Sequence, residues 1–175
     1  MQQLFSYFFQ LCLLRADPAQ TPHSIVVLSA TVTLHAMVNA VAYITPPYLE
    51  LRLFVPEFML GLLLQAGLIA GLLYYRGVPE RLIQTMTALL ATSAIVNALF
   101  LPFAILSSQL TADDSENGLR YVFEFLTWFT FVWWVAVTAY ILQRAANIHF
   151  RMGACLAVFI QLIYLIFLVA LRSPA

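Results

Sequence analysis

The chain has 175 residues, of which 63% are apolar and only 9% are charged. A water-soluble domain is usually about half apolar and a quarter charged, so there are too few polar residues to cover a surface that faces water. The formal net charge is zero, which argues against the basic footprint of a nucleic-acid-binding protein. The composition predicts one domain, 1–175, embedded in a membrane.

The first predicted element is an N-terminal helix over 1–14, which is too short to cross a bilayer because a crossing needs about 20 residues. Helical spacing puts its polar residues on one side and its apolar residues on the other, as in a helix that lies in the membrane interface. The polar side contains Gln3, Ser6 and Gln10, and the apolar side contains Leu4, Phe5, Phe8, Leu11 and Cys12. Arg15 and Asp17 follow where a cleavage site would lie, so we do not interpret the segment as a signal peptide.

Five longer apolar segments follow and predict an all-α, polytopic membrane helix bundle. The predicted transmembrane helices are 24–44, 56–75, 80–106, 119–144 and 148–171. Prolines 46 and 47 end the first helix, and a polar loop at 107–118 follows the third. We expect Pro56 in the first turn of its helix, Pro102 to kink or end its helix, and Asn147 to cap the last helix.

The basic residues, all arginines, give a predicted orientation. In this topology five arginines fall on one side and three on the other. The first group is Arg15, Arg76, Arg81, Arg144 and Arg151, and the second is Arg52, Arg120 and Arg172. Because the more basic side usually faces the cytoplasm, we predict a cytoplasmic N-terminus and a C-terminus on the other side.

The first transmembrane segment carries a polar stripe, in which Thr31, His35 and Asn39 recur every four residues on one helix face. Polar groups in hydrocarbon are costly, so this face should contact other helices or a cavity. Interhelical hydrogen bonding is the interpretation we favour, with a proton relay or ligand site as the functional alternative. His23 and His149 lie near the membrane boundary and cannot pair with His35 at haem, so no haem, metal or other cofactor is predicted.

The later segments add further candidates. In the second segment Gly67 and Gly71 form a GxxxG pattern, which favours internal helix packing over homodimerisation. Ser93 and Asn97 share a face of the third segment. Glu124 begins a stripe along the aromatic-rich fourth segment, which continues through Thr127, Phe131, Trp134 and Thr138. No P-loop, nucleophile elbow or metalloprotease motif is present, and the loops are too short for an active site, so we predict no enzyme and no catalytic residues.

Two stretches, 78–92 (VPERLIQTMTALLAT) and 134–146 (WVAVTAYILQRAA), resemble small proteobacterial inner-membrane proteins grouped as Yip1-like. That group is similar in length, in its five-helix layout and in an N-terminal apolar segment that ends in arginine. The resemblance implies a bacterial cytoplasmic (inner) membrane and no assigned activity. In such a membrane, the orientation predicted from the arginines makes the C-terminus periplasmic.

These patterns lead to three functional hypotheses. We favour a non-enzymatic accessory subunit, scaffold or assembly factor of a larger inner-membrane complex, because small-residue and polar stripes suit helix-to-helix association. Its partners would be membrane lipids and other membrane subunits or further copies of this chain. The alternatives are a small oligomeric transporter or channel with a polar intramembrane path, and a quinone- or lipid-binding membrane protein.

Overall fold

The computed structural model describes residues 2–44, 51–109 and 118–172, and in these ranges the chain forms six α-helices and no strand. The helices are α1 (Gln2–Cys12), α2 (Ile25–Ile44), α3 (Leu51–Tyr75), α4 (Leu82–Gln109), α5 (Gly118–Ala146) and α6 (Phe150–Arg172). Helices α2 to α6 are each long and apolar enough to cross a membrane. The predicted all-α bundle with five spans and a separate N-terminal helix is confirmed. The predicted break at prolines 46 and 47 lies outside the described residues. Of the predicted loop at 107–118, residues 110–117 also lie outside them, whereas α4 continues through 107–109.

Two prolines sit inside helices rather than at their ends. Helix α3 begins at Leu51, so Pro56 lies in its second turn, and the expected first-turn position was wrong. The apolar residues before Pro56 continue the helical segment, and a proline this early removes only one backbone hydrogen bond. Pro102 lies within α4, which continues to Gln109, so this proline does not end its helix.

Asn147 ends α5 instead of beginning α6, which corrects the predicted cap. Its φ of 52° is left-handed, and the N–H of Ile148 donates to the carbonyl of Gln143 at 3.2 Å. This six-to-one hydrogen bond after a left-handed residue is a Schellman motif. Helix α3 ends in the same way at Gly77, with φ of 72°, where the N–H of Val78 donates to Leu73 at 2.9 Å.

Two arginines after α3 cap the carboxyl end of α5. Arg76 donates to the carbonyls of Ala146 at 3.0 Å and Asn147 at 2.8 Å, and Arg81 donates to Ala145 at 3.1 Å. Cations at this position satisfy free carbonyls and complement the helix dipole. We call the end of the bundle at which α2, α4 and α6 begin the α1 end. We call the opposite end the Arg172 end.

Helix α4 is the central helix of the bundle. It packs most extensively against α2 and α5 and also contacts α1 and α3. Every residue in 85–96 is buried, and the core continues into α3 and α5 through Leu73, Ile141 and Leu142. The buried threonines of α4 donate to carbonyls one turn earlier, as Thr87 does to Ile83 at 2.7 Å, so their hydroxyls need no partner on another helix.

The apolar side of α1 packs against α4, with Phe8, Leu11 and Cys12 buried and the predicted polar residues exposed. The Cys12 thiol lies 3.8 Å from the carbonyl of Thr92, and the Trp133 indole donates to the Cys12 carbonyl at 2.9 Å. Thr92 is ten residues into α4, so the carboxyl end of α1 lies about 15 Å along α4 from its start. The carboxyl end of α1 therefore reaches into the bundle.

The polypeptide that follows α1 is held by side chains of the bundle and of α1 itself. Tyr140 donates to the carbonyl of Ala16 at 3.2 Å, and Gln84 donates to that of Thr21 at 3.1 Å. The Tyr7 hydroxyl donates to the backbone carbonyl of Asp17 at 2.9 Å. Non-helical backbone near a membrane needs such partners, because its carbonyls would otherwise be left without hydrogen bonds.

Replacing Trp133 with phenylalanine is expected to expose Cys12. Burial raises the pKa of the Cys12 thiol to about 11, from an ordinary value of 9.0, so about a hundredfold less thiolate is present at pH 8. In protein that also carries Cys155→Ser, we expect maleimide to label Cys12 slowly. The labelling rate should rise roughly tenfold in Trp133→Phe, which lacks the indole hydrogen bond to α1. Labelling rates between pH 7 and 9 measure this.

The matched control is Trp128→Phe, because Trp128 is exposed on the same helix. That variant should label as slowly as the parent. Equal labelling of both variants would show that the indole does not hold α1 in place.

Candidate ligand cavity within the helix bundle

A cavity of about 500 Å³ lies inside the bundle, and all five membrane-spanning helices line it. Its volume is within the range of small-molecule sites. Most of its wall is apolar and aromatic, and single neutral polar side chains are distributed over all five helices. Those polar residues are His35, Asn39, Gln65, Ser93, Asn97, Thr127, Thr130, Trp134, Gln161 and Tyr164.

His35 and Asn39 enter the cavity from α2, where their four-residue spacing puts them on one face. The Asn39 amide donates to the backbone carbonyl of His35 at 2.7 Å, and its nitrogen lies 3.4 Å from the imidazole nitrogens. The imidazole also contacts the Phe58 ring of α3, with centroids 5.8 Å apart. The Asn39 carbonyl oxygen can therefore still accept a hydrogen bond while its amino group holds the helix backbone.

Two neighbouring tryptophans of α5 have different partners. Trp134 lines the cavity and donates to the Ser93 hydroxyl at 3.0 Å, whereas Trp133 donates to the end of α1. Ser93 follows Thr92, whose carbonyl lies beside the Cys12 thiol. The end of α1 thus packs directly behind the cavity wall that Ser93 and Trp134 form.

Three side-chain amides line the cavity without protein partners. Within the described part of the chain, no hydrogen bond joins the amides of Gln65, Asn97 or Gln161 to another group. Each amide offers two donor hydrogens and an acceptor oxygen. We call these three residues the amide belt.

Contacts between the helices place the amide belt at one level. Gln65 and Gln161 lie four and three residues from the Gly61–Tyr164 contact, both toward the α1 end. Asn97 lies four residues from Ser93, toward the Arg172 end. The Gly153–Ala139 contact relates the level of α6 to that of α5, and the Trp134–Ser93 hydrogen bond relates α5 to α4. At 1.5 Å per residue, the three amides then lie within about one helical turn of one another along the bundle axis.

This level is near the middle of the membrane spans. Gln161 is the central residue of the span Phe150–Arg172, and Gln65 is one residue from the centre of Leu53–Tyr75. The bilayer interior has no water to hydrogen-bond such groups. Polar side chains at this depth are tolerated where they line a cavity, in which water or a bound molecule can pair with them.

A charged pair lies at the Arg172 end of the cavity. Glu57 lines the cavity, its side chain is 4% exposed, and it accepts two hydrogen bonds from the Arg172 guanidinium at 2.6 and 2.7 Å. This bidentate arrangement is the strong form of an arginine–carboxylate pair. It neutralises the carboxylate, so the wall of the cavity carries no unpaired charge among the described residues.

The predicted polar candidates separate into two groups. His35, Asn39, Ser93 and Asn97 are brought together in the cavity. Thr31 is buried, but its hydroxyl donates to the carbonyl of Leu28 at 2.8 Å and lies outside the cavity. Glu124 is exposed and does not line the cavity, although Thr127, Phe131 and Trp134 of its stripe do.

The predicted packing glycines do not pack inside the molecule. Gly67 and Gly71 are exposed, and an added Cβ at either would meet no atom within 4 Å. Internal close packing falls instead on Gly61, which faces the Tyr164 ring, and on Gly153, which faces the Ala139 carbonyl. The GxxxG spacing indicated a smooth helix face but not the direction in which it points.

Sequence reasoning missed Glu57, Gln65, Gln161 and Tyr164 as cavity residues. A signal was available for the first three, since each is a polar residue in an apolar segment. Among the described residues, no group of three His, Cys, Asp or Glu side chains could hold a metal ion.

Comparisons with protein-family models, curated proteins and solved structures find no match to this chain. The Yip1-like resemblance therefore stays a prediction, and the functional argument depends on the cavity.

Proposed function

We propose that this integral membrane protein binds a small, electrically neutral molecule in the cavity, with the amide belt as the recognition element. The observation that carries the proposal is the group of three amides at the middle of the membrane spans, which have no protein partner among the residues that the structure describes. A ligand whose polar groups match these amides can take the place of water as their hydrogen-bonding partner.

The neutrality of the ligand follows from the charges around the cavity. Glu57 is paired with Arg172, and among the described residues the rest of the lining carries no formal charge when His35 is neutral. An ion in the cavity would lose its hydration without gaining a counter-charge, which is strongly unfavourable. Ion conduction is for this reason a weaker candidate than neutral ligand binding.

Leucine at each belt position is expected to abolish ligand retention while leaving the fold intact. Leucine is close in size to glutamine and asparagine and removes a polar group that lacks a protein partner, so we expect unchanged or slightly raised stability. Native mass spectrometry of protein purified in mild detergent, with solvent extraction of bound molecules, measures retention in Gln65→Leu, Asn97→Leu and Gln161→Leu.

Gln143→Leu is the matched control, because Gln143 is an α5 amide outside the cavity. It should retain the ligand. A wild-type preparation that carries no small molecule, and binds none from a membrane extract, would contradict the proposed function.

A second candidate is the accessory-subunit role, and one observation favours it. The exposed Gly67–Gly71 face of α3 is open, so another membrane helix could approach its backbone closely. A stoichiometric partner that co-purifies with the wild type but not with Gly67→Leu/Gly71→Leu would support this role. Both roles are compatible with an inner-membrane location and with the α1 end, which bears Arg76, Arg81 and Arg144, facing the cytoplasm.

A further inference from the structure

We infer that the ligand is a water-soluble molecule, polar along its whole length, that enters the cavity from the aqueous phase at the Arg172 end. This inference rests on the proposed function and specifies the class of its ligand. It is drawn from the position of the cavity along the bundle and from the polar groups at both levels of its wall.

On the side of the α1 end, the cavity stops near the middle of the membrane. The lining residues nearest that end are His35, Gln65, Ser93, Trp134 and Ile160, one on each of α2 to α6. Each of them lies between ten and twelve residues from the end of its helix at the α1 end. At 1.5 Å per residue, roughly 15 to 18 Å of helix therefore separates the cavity from that end of the bundle.

Close packing fills this separating part of the bundle. Every residue in 85–96 of α4 is buried, whereas none of the described residues in 97–106 is buried. In the described part of α5 the buried residues all lie in 137–146, and α6 has its buried residues at Gly153 and Ala157. The helices therefore pack tightly from the α1 end to about mid-membrane, and the cavity lies in the more open half.

Toward the Arg172 end, the cavity extends much closer to the helix ends. Ala42 is two residues from the end of α2, and Phe103 is six residues from the end of α4, which corresponds to roughly 3 and 9 Å. Arg172 is the last residue of α6, and its side chain is 40% exposed where it pairs with Glu57. An arginine at a helix end extends its charged group toward the water at the membrane boundary. The mouth of the cavity therefore lies at this boundary.

The wall is polar at two levels, with aromatic rings beside both. The amide belt forms the inner level. Asn39 and the Glu57–Arg172 pair lie about 10 Å nearer the mouth, around Phe58, which is seven residues from Gln65 along α3. An apolar tail in this outer part would displace water from these polar groups without replacing its hydrogen bonds, which is unfavourable. A molecule with hydroxyl, carbonyl or amide groups along its length can pair with both levels.

The test compares two thiol reagents on single-cysteine variants of the full chain in lipid nanodiscs, in protein that also carries Cys12→Ala and Cys155→Ser. Asn97→Cys places a thiol at the amide belt. Leu99→Cys is the matched control, because Leu99 is exposed on the same helix and does not line the cavity. Iodoacetamide is small, uncharged and water-soluble, whereas a maleimide with a dodecyl chain is lipid-soluble.

We expect iodoacetamide to label Asn97→Cys roughly tenfold or more faster than Leu99→Cys, because a thiol that faces hydrocarbon is not ionised. The dodecyl maleimide should reach Leu99→Cys from the bilayer. Ala42→Trp narrows the mouth and should slow the iodoacetamide labelling of Asn97→Cys by a similar factor. Tyr74→Trp, at an exposed position near the α1 end, should leave that labelling unchanged.

The possible results separate this inference from the proposed function. If iodoacetamide labels Asn97→Cys no faster than Leu99→Cys while the dodecyl maleimide labels both, the cavity is reached from the bilayer, and the inference is overturned but ligand binding is not. A lipid-soluble molecule recovered by solvent extraction would overturn it in the same way. If neither reagent labels Asn97→Cys while the dodecyl maleimide labels Leu99→Cys, the cavity admits no ligand and the proposed function fails as well.

Discussion

Replacing Arg172 with glutamine is expected to lower the free energy of unfolding by about 3 kcal/mol, because it leaves a buried carboxylate without its counter-charge. Glu57 is 4% exposed and receives two guanidinium hydrogen bonds, whereas the Arg172 side chain is 40% exposed. The two single variants should therefore differ: Glu57→Gln should cost less, since the freed guanidinium can turn to water. Unfolding in mixed detergent micelles measures both.

The double variant Glu57→Leu/Arg172→Leu should recover most of the lost stability, since two apolar side chains can replace an ion pair at little cost. Arg151→Gln, at an exposed position of the same helix, is the control and should change stability by less than about 0.5 kcal/mol. A loss at Arg172 no larger than this control would show that the pair does not stabilise the bundle.

Replacing Gly153 with alanine is the second change with a large expected effect. The added Cβ would lie 2.6 Å from the Ala139 carbonyl oxygen and 3.1 Å from the Ala139 Cα, so α5 and α6 must move apart. Overpacking at a fixed backbone contact costs about 2 kcal/mol, and Gly153→Leu should prevent stable folding. Thermal unfolding of the purified variants measures this effect.

Gly71→Ala is the control, and it is expected to raise stability rather than lower it. Nothing lies within 4 Å of the added Cβ at that position, so the helix gains the ordinary advantage of alanine over glycine, about 0.5–1 kcal/mol. If both substitutions changed stability alike, the contact between α5 and α6 would not be as close as described.

The fold followed from the sequence because the membrane imposes simple requirements on length and hydropathy. Five segments of about 20 apolar residues could be read directly, and the short turn at Gly77 set two of them antiparallel. Helix ends were harder. Asn147 has a side chain suited to either an N-cap or a left-handed C-terminal position, and the connection of only 147–149 between α5 and α6 gave no means to decide.

The cavity was only partly predictable. A polar residue in an apolar helix must face inward, which identified His35, Asn39, Ser93 and Asn97, but helical periodicity does not say which inward faces meet. The level shared by Gln65 and Gln161 depends on how α3 and α6 are offset along their axes. That offset is fixed by the packing of Tyr164 on Gly61. These two residues are 103 positions apart in the sequence (164 minus 61), so helical periodicity does not relate them.

The position of α1 has a consequence for biosynthesis. Its carboxyl end is held by Trp133, which follows Cys12 by 121 residues, so the ribosome must add that much polypeptide before the two can meet. At 5–20 residues per second this takes roughly 6 to 24 s. Until α4 has been made, only lipid or the insertion machinery can cover the apolar side of α1. Helix α1 therefore precedes the five spans in synthesis but can complete its contacts only after the fourth membrane span has been made.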